Sequence, residues 1–484
     1  MSLGIEIDDR LCAIARDGTV LDAAPGVASQ GDSSGSSAAP LTGVAALARI
    51  RLQPTLVSTR HWAEIAREAL PSSQALSLAG ADLGALIAAA GAAPNGDAAS
   101  PEALWIAVPA RFGARALGSV LALTRGIGLS VAGFVDSAAA SVAALDVSRT
   151  ALVLDLGLHH LSVTAVETEA REAGVAAHAG GTVRRRRAVV VERGGLLELY
   201  DAWLDIVRAA MVKRTRFDPL REAASEQQLF DSLPRLAAEA AASGSATALV
   251  EARGERFEVT LGREQYAEVA ERVYREIIRA FHELRPAGAR VALLVPQIVP
   301  ALPGLAERLQ QFADCELIVL PQGFAAAAAS RFEAPLPAGE AVKWLRRVPR
   351  LGAIEAGAGV RREMLGGGPE RVSPASHVLY GGHAYPLAAQ PLSVGRAPSE
   401  APSVTRIVLP EGLAAVSRSH CTLLREADAV VLVDHSRYGT FVNGERVAGR
   451  TVLRAGDTIR IGEPGVELAL ISVAPGTQSP GASV

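Results

Sequence analysis

Four short polar motifs, set between strand-like runs near the C-terminal end, constrain this chain more than any other feature. They are Gly395-Arg396, Ser417-Arg418-Ser419-His420, Ser436-Arg437-Tyr438-Gly439-Thr440 and Asn443-Gly444. The neighbouring runs "LSVGR", "CTLL", "AVVLVD" and "TFVNG" have the apolar, β-branched character of strands. Short strands joined by polar loops describe a β-sandwich whose loops converge at one end. Two of the motifs place arginine beside a hydroxyl or amide donor. A guanidinium is a planar fork that engages two oxygens of a phosphate at once, so this is the chemistry that holds a phosphate dianion.

The module spans about 391–475 and closes on "LRAGDTIRIG", Leu453 to Gly462. It resembles the forkhead-associated (FHA) domain, an all-β sandwich that binds phosphothreonine. The resemblance implies that Arg396 contacts the phosphate, that the Ser417 hydroxyl donates to it and that Arg418 adds a second cation. It implies structural roles for Gly395, His420, Gly439, Thr440, Asn443 and Gly444. The family commonly has asparagine just before the glycine of the third motif. Tyr438 stands there, preceded by Arg437, so both are counted with the peptide-binding residues and the choice of flanking residues stays open. Tyr438 as a packed loop aromatic, and the arginines as solvated loop charges, are the bland alternatives.

A chain of 484 residues is too long for one ordinary domain. Upstream of the sandwich, strand-like and helix-like segments alternate from residue 1 to about 332, the pattern of an α/β core. Examples are the strand "ALWIAVPA", the hairpin "ALVLDLGLHHLSVTAVE" and the hairpin "TALVEARGERFEVTL" turning at Gly254. Residues 333–390 are charged and rich in glycine and proline, without a sustained period, and are expected to be a partly ordered linker. Gly31 to Ala39 reads as a flexible loop and 476–484 as a disordered tail.

Two passages in this region, "WIAVPARFGARALGSVLALTRGIGLSVAGFVDSAAASVAAL" and "ALVLDLGLHHLSVTAVE", resemble the nucleotide-binding domain of the seventy-kilodalton heat-shock chaperones, within the actin-like ATPase superfamily. "RFDP" and "VLPQGFAAAAAS" extend the likeness to residues 3–332. The expected architecture is therefore multidomain: an α/β, actin-like, two-lobed ATPase fold followed by an all-β FHA sandwich. The resemblance implies nucleotide contacts at Glu6, Asp155, Gly157, Gly194, Gly195 and Gly323, with ATP and Mg²⁺ as the implied ligands.

The residues themselves speak against a working ATPase. Phosphate loops need glycines whose amides wrap the oxyanion. The first hairpin is Gly4-Ile5-Glu6-Ile7-Asp8-Asp9-Arg10, which brings carboxylates toward a polyphosphate. The second, Asp155-Leu156-Gly157-Leu158-His159-His160, has side chains where the family has glycines. Val295-Pro296 replaces a further diglycine, and no lysine precedes Lys213. A pseudo-ATPase is expected, with no catalytic residue and no required cofactor.

Net charge is −3, which argues against nucleic acid as a partner. Cys12, Cys315 and Cys421 are scattered, so neither a disulfide framework nor a zinc spacing is expected, and a reducing, cytoplasmic compartment is. No apolar run is long enough to insert in a membrane, and no signal peptide is read. His159-His160 are adjacent and point to opposite faces of a strand, so no metal site is expected of the pair. Arg184 to Arg187 read as a solvated strand or hairpin edge, and Asp136 as a hinge or helix cap. The leading expectation is a bacterial signalling adaptor that reads phosphothreonine made by a serine/threonine kinase, with Ser373, Ser376 and Thr405 as sites on its own linker. The rivals are an ATP-driven switch and a structural scaffold of a secretion or envelope assembly.

Overall fold

The computed structural model describes residues 2–30, 40–67, 69–91, 103–147, 150–169, 181–286, 290–312, 315–332, 342–353, 359–365, 375–388, 390–398, 404–410, 412–426, 429–442, 445–447, 449–453, 457–462 and 465–471. The Gly31–Ala39 loop, Ser373, Asn443, Gly444 and the tail lie outside them. The chain forms two compact units, one built from Met1–Arg285 with Arg290–Gly367, the other from Pro286–Ala289 with Gly368–Val484. Among the described residues no helix is long and apolar enough to cross a membrane.

The N-terminal unit repeats one sheet plan twice. In the first sheet β1 (Ser2–Ile7), β2 (Cys12–Arg16) and β3 (Thr19–Ala24) form an antiparallel meander. Then β4 (Ala103–Val108) runs parallel to β1, and β5 (Val131–Asp136) parallel to β4. In the second sheet the meander is β6 (Thr150–Leu156), β7 (Leu161–Glu169) and β8 (Thr182–Val191). Here β9 (Ala292–Pro296) lies parallel to β6, and β10 (Glu316–Leu320) parallel to β9. The parallel strands are near-continuous apolar runs because both faces are covered; β9 is buried at every position. The alanine run of the helix Phe324–Ala329 lets its backbone touch β1. A Cβ at Gly4 would stand 2.1 Å from the Ala326 carbonyl oxygen, so that position must be glycine.

The stretch 333–390 is not simply a linker. Its described part carries five short strands that complete sheets in both units. β11 (Lys343–Leu345) adds to β5 and β12 (Arg347–Pro349) adds to β8, so one segment with a single intervening residue borders both N-terminal sheets. β13 (Arg361–Met364) closes the far edge beside β10. The sheet orders are β11-β5-β4-β1-β2-β3 and β12-β8-β7-β6-β9-β10-β13. The run Arg184–Arg187 accordingly lies in an inner strand rather than on an edge. Each arginine has a carboxylate: Arg184 with Glu169, Arg185 with Asp136, Arg186 with Glu167 and Arg187 with Glu283.

The C-terminal unit is a sandwich of two sheets. β14 (His377–Tyr380) and β15 (His383–Pro386) form a hairpin across Gly381-Gly382, both at positive φ. One sheet runs β15-β14-β24-β23-β20-β21, with β20 (Thr440–Val442), β21 (Glu445–Arg446), β23 (Thr458–Ile461) and β24 (Val466–Ile471). The other runs β17-β16-β18-β19-β22, with β16 (Leu392–Gly395), β17 (Thr405–Val408), β18 (Cys421–Glu426), β19 (Ala429–Asp434) and β22 (Arg450–Leu453). Alternate residues such as Leu392, Val394, Leu423, Leu432, Ile459, Ile461, Leu468 and Leu470 meet in one core. Ser376 and Thr405, expected on a linker, are half-buried parts of this sandwich.

The unit therefore begins upstream of residue 391. Ala375, Val378 and Leu387 are buried in its core, and β14 covers the edge of β24. Burying one valine and one leucine contributes about 3–6 kcal/mol together. A fragment 391–484 is expected to lose about that much stability relative to 368–484 in urea unfolding and to associate through the bared edge of β24.

Candidate functional site

The four polar motifs come together at one end of the sandwich. β16 ends on Gly395, across which the following motif passes; a Cβ there would stand 2.1 Å from the Arg418 carbonyl oxygen. The Arg396 amide donates to Ser417 O at 3.2 Å and the Ala397 amide to Arg418 O at 2.9 Å. The exposed guanidinium of Arg396 is anchored by its Nε, which donates to Val416 O at 2.7 Å. From the third motif, the Arg437 amide donates to Ser417 Oγ at 3.2 Å. Arg396, Ser417 and Arg437, distant in sequence, thus share one tip. Arg418, Arg437 and Tyr438 are exposed there, with the Arg437 guanidinium 5.8 Å from the Tyr438 ring centre.

His420 is the fixed point beneath the tip. It is fully buried, its Nδ1 accepts the Ser417 amide at 3.1 Å, and its Nε2 faces Gly439 O at 3.3 Å. This pattern assigns the proton to Nε2, as a neutral ring. Burial depresses its pKa and so favours that form.

Two residues outside the predicted set complete the arrangement. Asp434 Oδ1 accepts the Ser436 amide at 3.0 Å and the Thr440 hydroxyl at 2.7 Å. Ser436 Oγ accepts the Gly439 amide at 2.8 Å, so the turn is stitched closed. The Asp-x-Ser spacing is the sequence signal for such a turn. Arg446 lies across Gly439, its Nε 2.6 Å from where a Cβ would stand, and brings a further exposed guanidinium to the tip.

The N-terminal unit holds a second candidate site between the β1–β2 and β6–β7 turns. Asp9 is fully buried, and its carboxylate accepts the Leu158 amide at 2.8 Å and the His159 amide at 3.4 Å. Those are amides of the loop where the resemblance places phosphate. The amides after the diglycine are also engaged: Leu196 N donates to Gly157 O at 2.9 Å and Leu197 N to Leu158 O at 3.0 Å. Gly157 and Gly195 are glycines for packing, since Cβ atoms there would stand 2.2 Å from the His160 ring and 2.3 Å from Leu158 O. Gly194 takes φ +122° and Gly323 takes φ +72° at the starts of helices. These residues do not fit Mg-ATP: a fixed internal carboxylate holds the donors that a phosphate would use.

A cavity of about 580 Å³ adjoins this cluster, lined by Glu6, Arg10, Asp155, Tyr200, Phe230 and Phe324 among others. Burial pushes Glu6 up to about 7. Burial, with Asp155 and Asp9 nearby, also pushes Asp8 up to about 7, although Arg111 donates to it at 2.8 Å. For His160, burial opposes the charged form, but the carboxylates of Asp8, Asp155 and Asp9 outweigh it and hold the ring up at about 10. The two adjacent histidines diverge, for His159 turns away to Thr59 at 2.9 Å. Asp136 caps the helix Ser137–Ala143, accepting the Ala139 amide at 3.0 Å, and pairs with Arg185 at 2.7 Å.

In comparison with known proteins, the sequence model of the FHA domain family matches residues 392–462. No curated protein matches the chain. FHA domains bind phosphothreonine-containing proteins.

Asp434 gives the tip a pH dependence. Partial burial alone would raise its pKa, but hydrogen bonds from Ser436 and Thr440 prevail and hold it below the usual carboxylate range. A depressed carboxyl contributes stability above its unfolded value of about 3.9, which is lost as pH falls through the lower folded value. Thermal melting of the C-terminal unit is expected to fall as pH drops below about 4, and Asp434→Asn should flatten that decline.

Proposed function

We propose that this chain is an adaptor that reads phosphothreonine on a protein partner through the tip of its C-terminal sandwich. The observation that carries the reading is the joining of three loops there: Arg396 N to Ser417 O, Arg396 Nε to Val416 O, and Arg437 N to Ser417 Oγ. A guanidinium and a hydroxyl are held side by side before any ligand arrives, so little ordering entropy is lost on binding. Phosphothreonine carries a charge of about −1.5 to −2 and three acceptor oxygens. The exposed guanidiniums of Arg396, Arg418, Arg437 and Arg446 suit that charge. The partner is a substrate of a serine/threonine kinase.

For the N-terminal unit we infer an actin-like platform that works without nucleotide. The repeated sheet plan supports the actin-like reading, and the capture of the β6–β7 amides by Asp9 supports independence from ATP. The unit then offers partner-binding surface rather than a hydrolytic cycle.

Two measurements test these readings. Calorimetric titration of the full chain with paired peptides should show binding to the phosphothreonine form and none to the unphosphorylated form. Loss of one charge-assisted hydrogen bond, worth about 1.5–3 kcal/mol, should make Arg396→Ala bind roughly 10- to 100-fold more weakly. Equal affinity for both peptides defeats the phosphothreonine reading. Separately, the melting temperature of the full chain should not move with millimolar Mg-ATP; stabilisation that grows with concentration would support the nucleotide-switch rival.

A further inference from the structure

The replacements that fill the phosphate loops leave an unusual cluster behind. One ligand atom from each of Asp8, Asp155 and His160 lies within 4.8 Å of the other two. His160 Nε2 stands 3.8 Å from Asp8 Oδ1 and 3.8 Å from Asp155 Oδ2, beyond hydrogen-bond length. His160 is 3% exposed and Asp8 4%. The ring nitrogens of His160, Asp8 Oδ2 and Asp155 Oδ2 are buried without a hydrogen-bond partner. Buried polar atoms are seldom left so, and several converging on one point indicate a missing common partner.

The geometry suits a metal ion. Ligands at about 2.0–2.2 Å from one ion stand roughly 3–3.6 Å apart, so the two 3.8 Å spacings at His160 Nε2 need a contraction of a few tenths of an ångström, with Asp8 turning to offer its unpaired Oδ2. A ligating histidine normally gives its other ring nitrogen to a carboxylate, which fixes the tautomer and aims the ligating lone pair. Asp9 is placed for that, with Oδ2 3.4 Å from His160 Nδ1, and is itself held by the Leu158 amide. Asp8 is held in a similar way: Arg111 and the Asp9 amide both donate to its Oδ1 at 2.8 Å, which leaves Oδ2 free. Four carboxylates (Glu6, Asp8, Asp9 and Asp155) lie around this point, and a bound cation would take the place of the proton they hold on His160. Asp155 lines the adjoining cavity, which supplies an entry path and room for water at a remaining coordination position.

We propose that Asp8, Asp155 and His160 together bind one divalent transition-metal ion, of the zinc or cobalt(II) class, through protein side chains alone and without nucleotide. Imidazole selects for such ions over Mg²⁺, which prefers oxygen ligands and retains its waters. Asp9 is a positioning residue for His160. The site is separate from the phosphothreonine tip, so either proposal can fail without the other.

The test uses the full chain, stripped with a chelator and dialysed, titrated with Zn²⁺ and with Mg²⁺ by calorimetry in the absence of nucleotide. The expected result is one equivalent of Zn²⁺ per chain, Mg²⁺ at least 100-fold weaker, and a Co²⁺ form with visible absorption. His160→Asn should abolish the single high-affinity equivalent, and Asp9→Asn should weaken it 10- to 100-fold while keeping the stoichiometry. Should His160→Asn fail to fold by circular dichroism, the less buried Asp155→Asn replaces it, with the Co²⁺ spectrum of the wild-type chain as second readout. Phosphopeptide affinity is read on the same samples and should not change. Absence of a high-affinity equivalent in the wild-type chain overturns the proposal. So does Zn²⁺ affinity that survives substitution of His160 or Asp155, or a preference for Mg²⁺.

Discussion

Two hydrogen bonds of one buried imidazole tie the hydroxyl motif to the glycine turn at the C-terminal tip. His420 ties the Ser417 amide on one side to the Gly439 carbonyl on the other. Besides the ring, the Arg437 amide to Ser417 Oγ and the His435 amide to His420 O join the hydroxyl motif to the Ser436–Thr440 turn. Arg396 is drawn in through Val416. The positive tip rests on a neutral, water-excluded ring, and burial keeps that ring uncharged beneath the arginines.

The two units dispose of their cations in different ways. At the sandwich tip Arg396, Arg418, Arg437 and Arg446 are exposed. In the N-terminal unit the anion is internal: Asp9 sits against the Leu158 and His159 amides, and Arg111 is committed to Asp8. A carboxylate fixed by the chain needs no association step, so the Leu158 and His159 amides are occupied without any ligand.

Legibility in the sequence followed the range of the forces involved. The tip was readable because its residue types are set by local geometry and by a charge that must be met. Glycine occupies the crossing at Gly395, and the sequence set arginine beside serine where three loops meet. In the β6–β7 turn the side chains of Leu158 and His159 were legible as residues that speak against an open phosphate loop, and there the Leu158 and His159 amides meet Asp9. The strands of 342–349 were not readable. Three residues cannot show a period, and their partners β5 and β8 lie far upstream in sequence, so pairing is decided by backbone groups at a sheet edge. The hairpin of β14 and β15 did carry a signal, a diglycine between two short aromatic-containing runs, masked by the polar character of its surroundings. Arg446 carries no local signal, because its role depends on where the turn folds back, whereas Asp434 has one in the Asp-x-Ser spacing and only its bond to Thr440 waits on the fold. The cluster around His160 is the same kind of case: its members come from three turns and strands that only the fold assembles.

The segment that borders both N-terminal sheets has a mechanical meaning. β11 and β12 are separated by Arg346 alone, whose carbonyl accepts the Arg185 amide at 3.1 Å and whose guanidinium lies 4.0 Å over the Trp344 ring. A single residue allows two backbone rotations and almost no translation. At this point the two sheets are pinned to one another, with rotation about the Arg346 backbone as the freedom the joint leaves. Along this edge, relative movement of the two halves is thereby confined to a hinge rather than a slide.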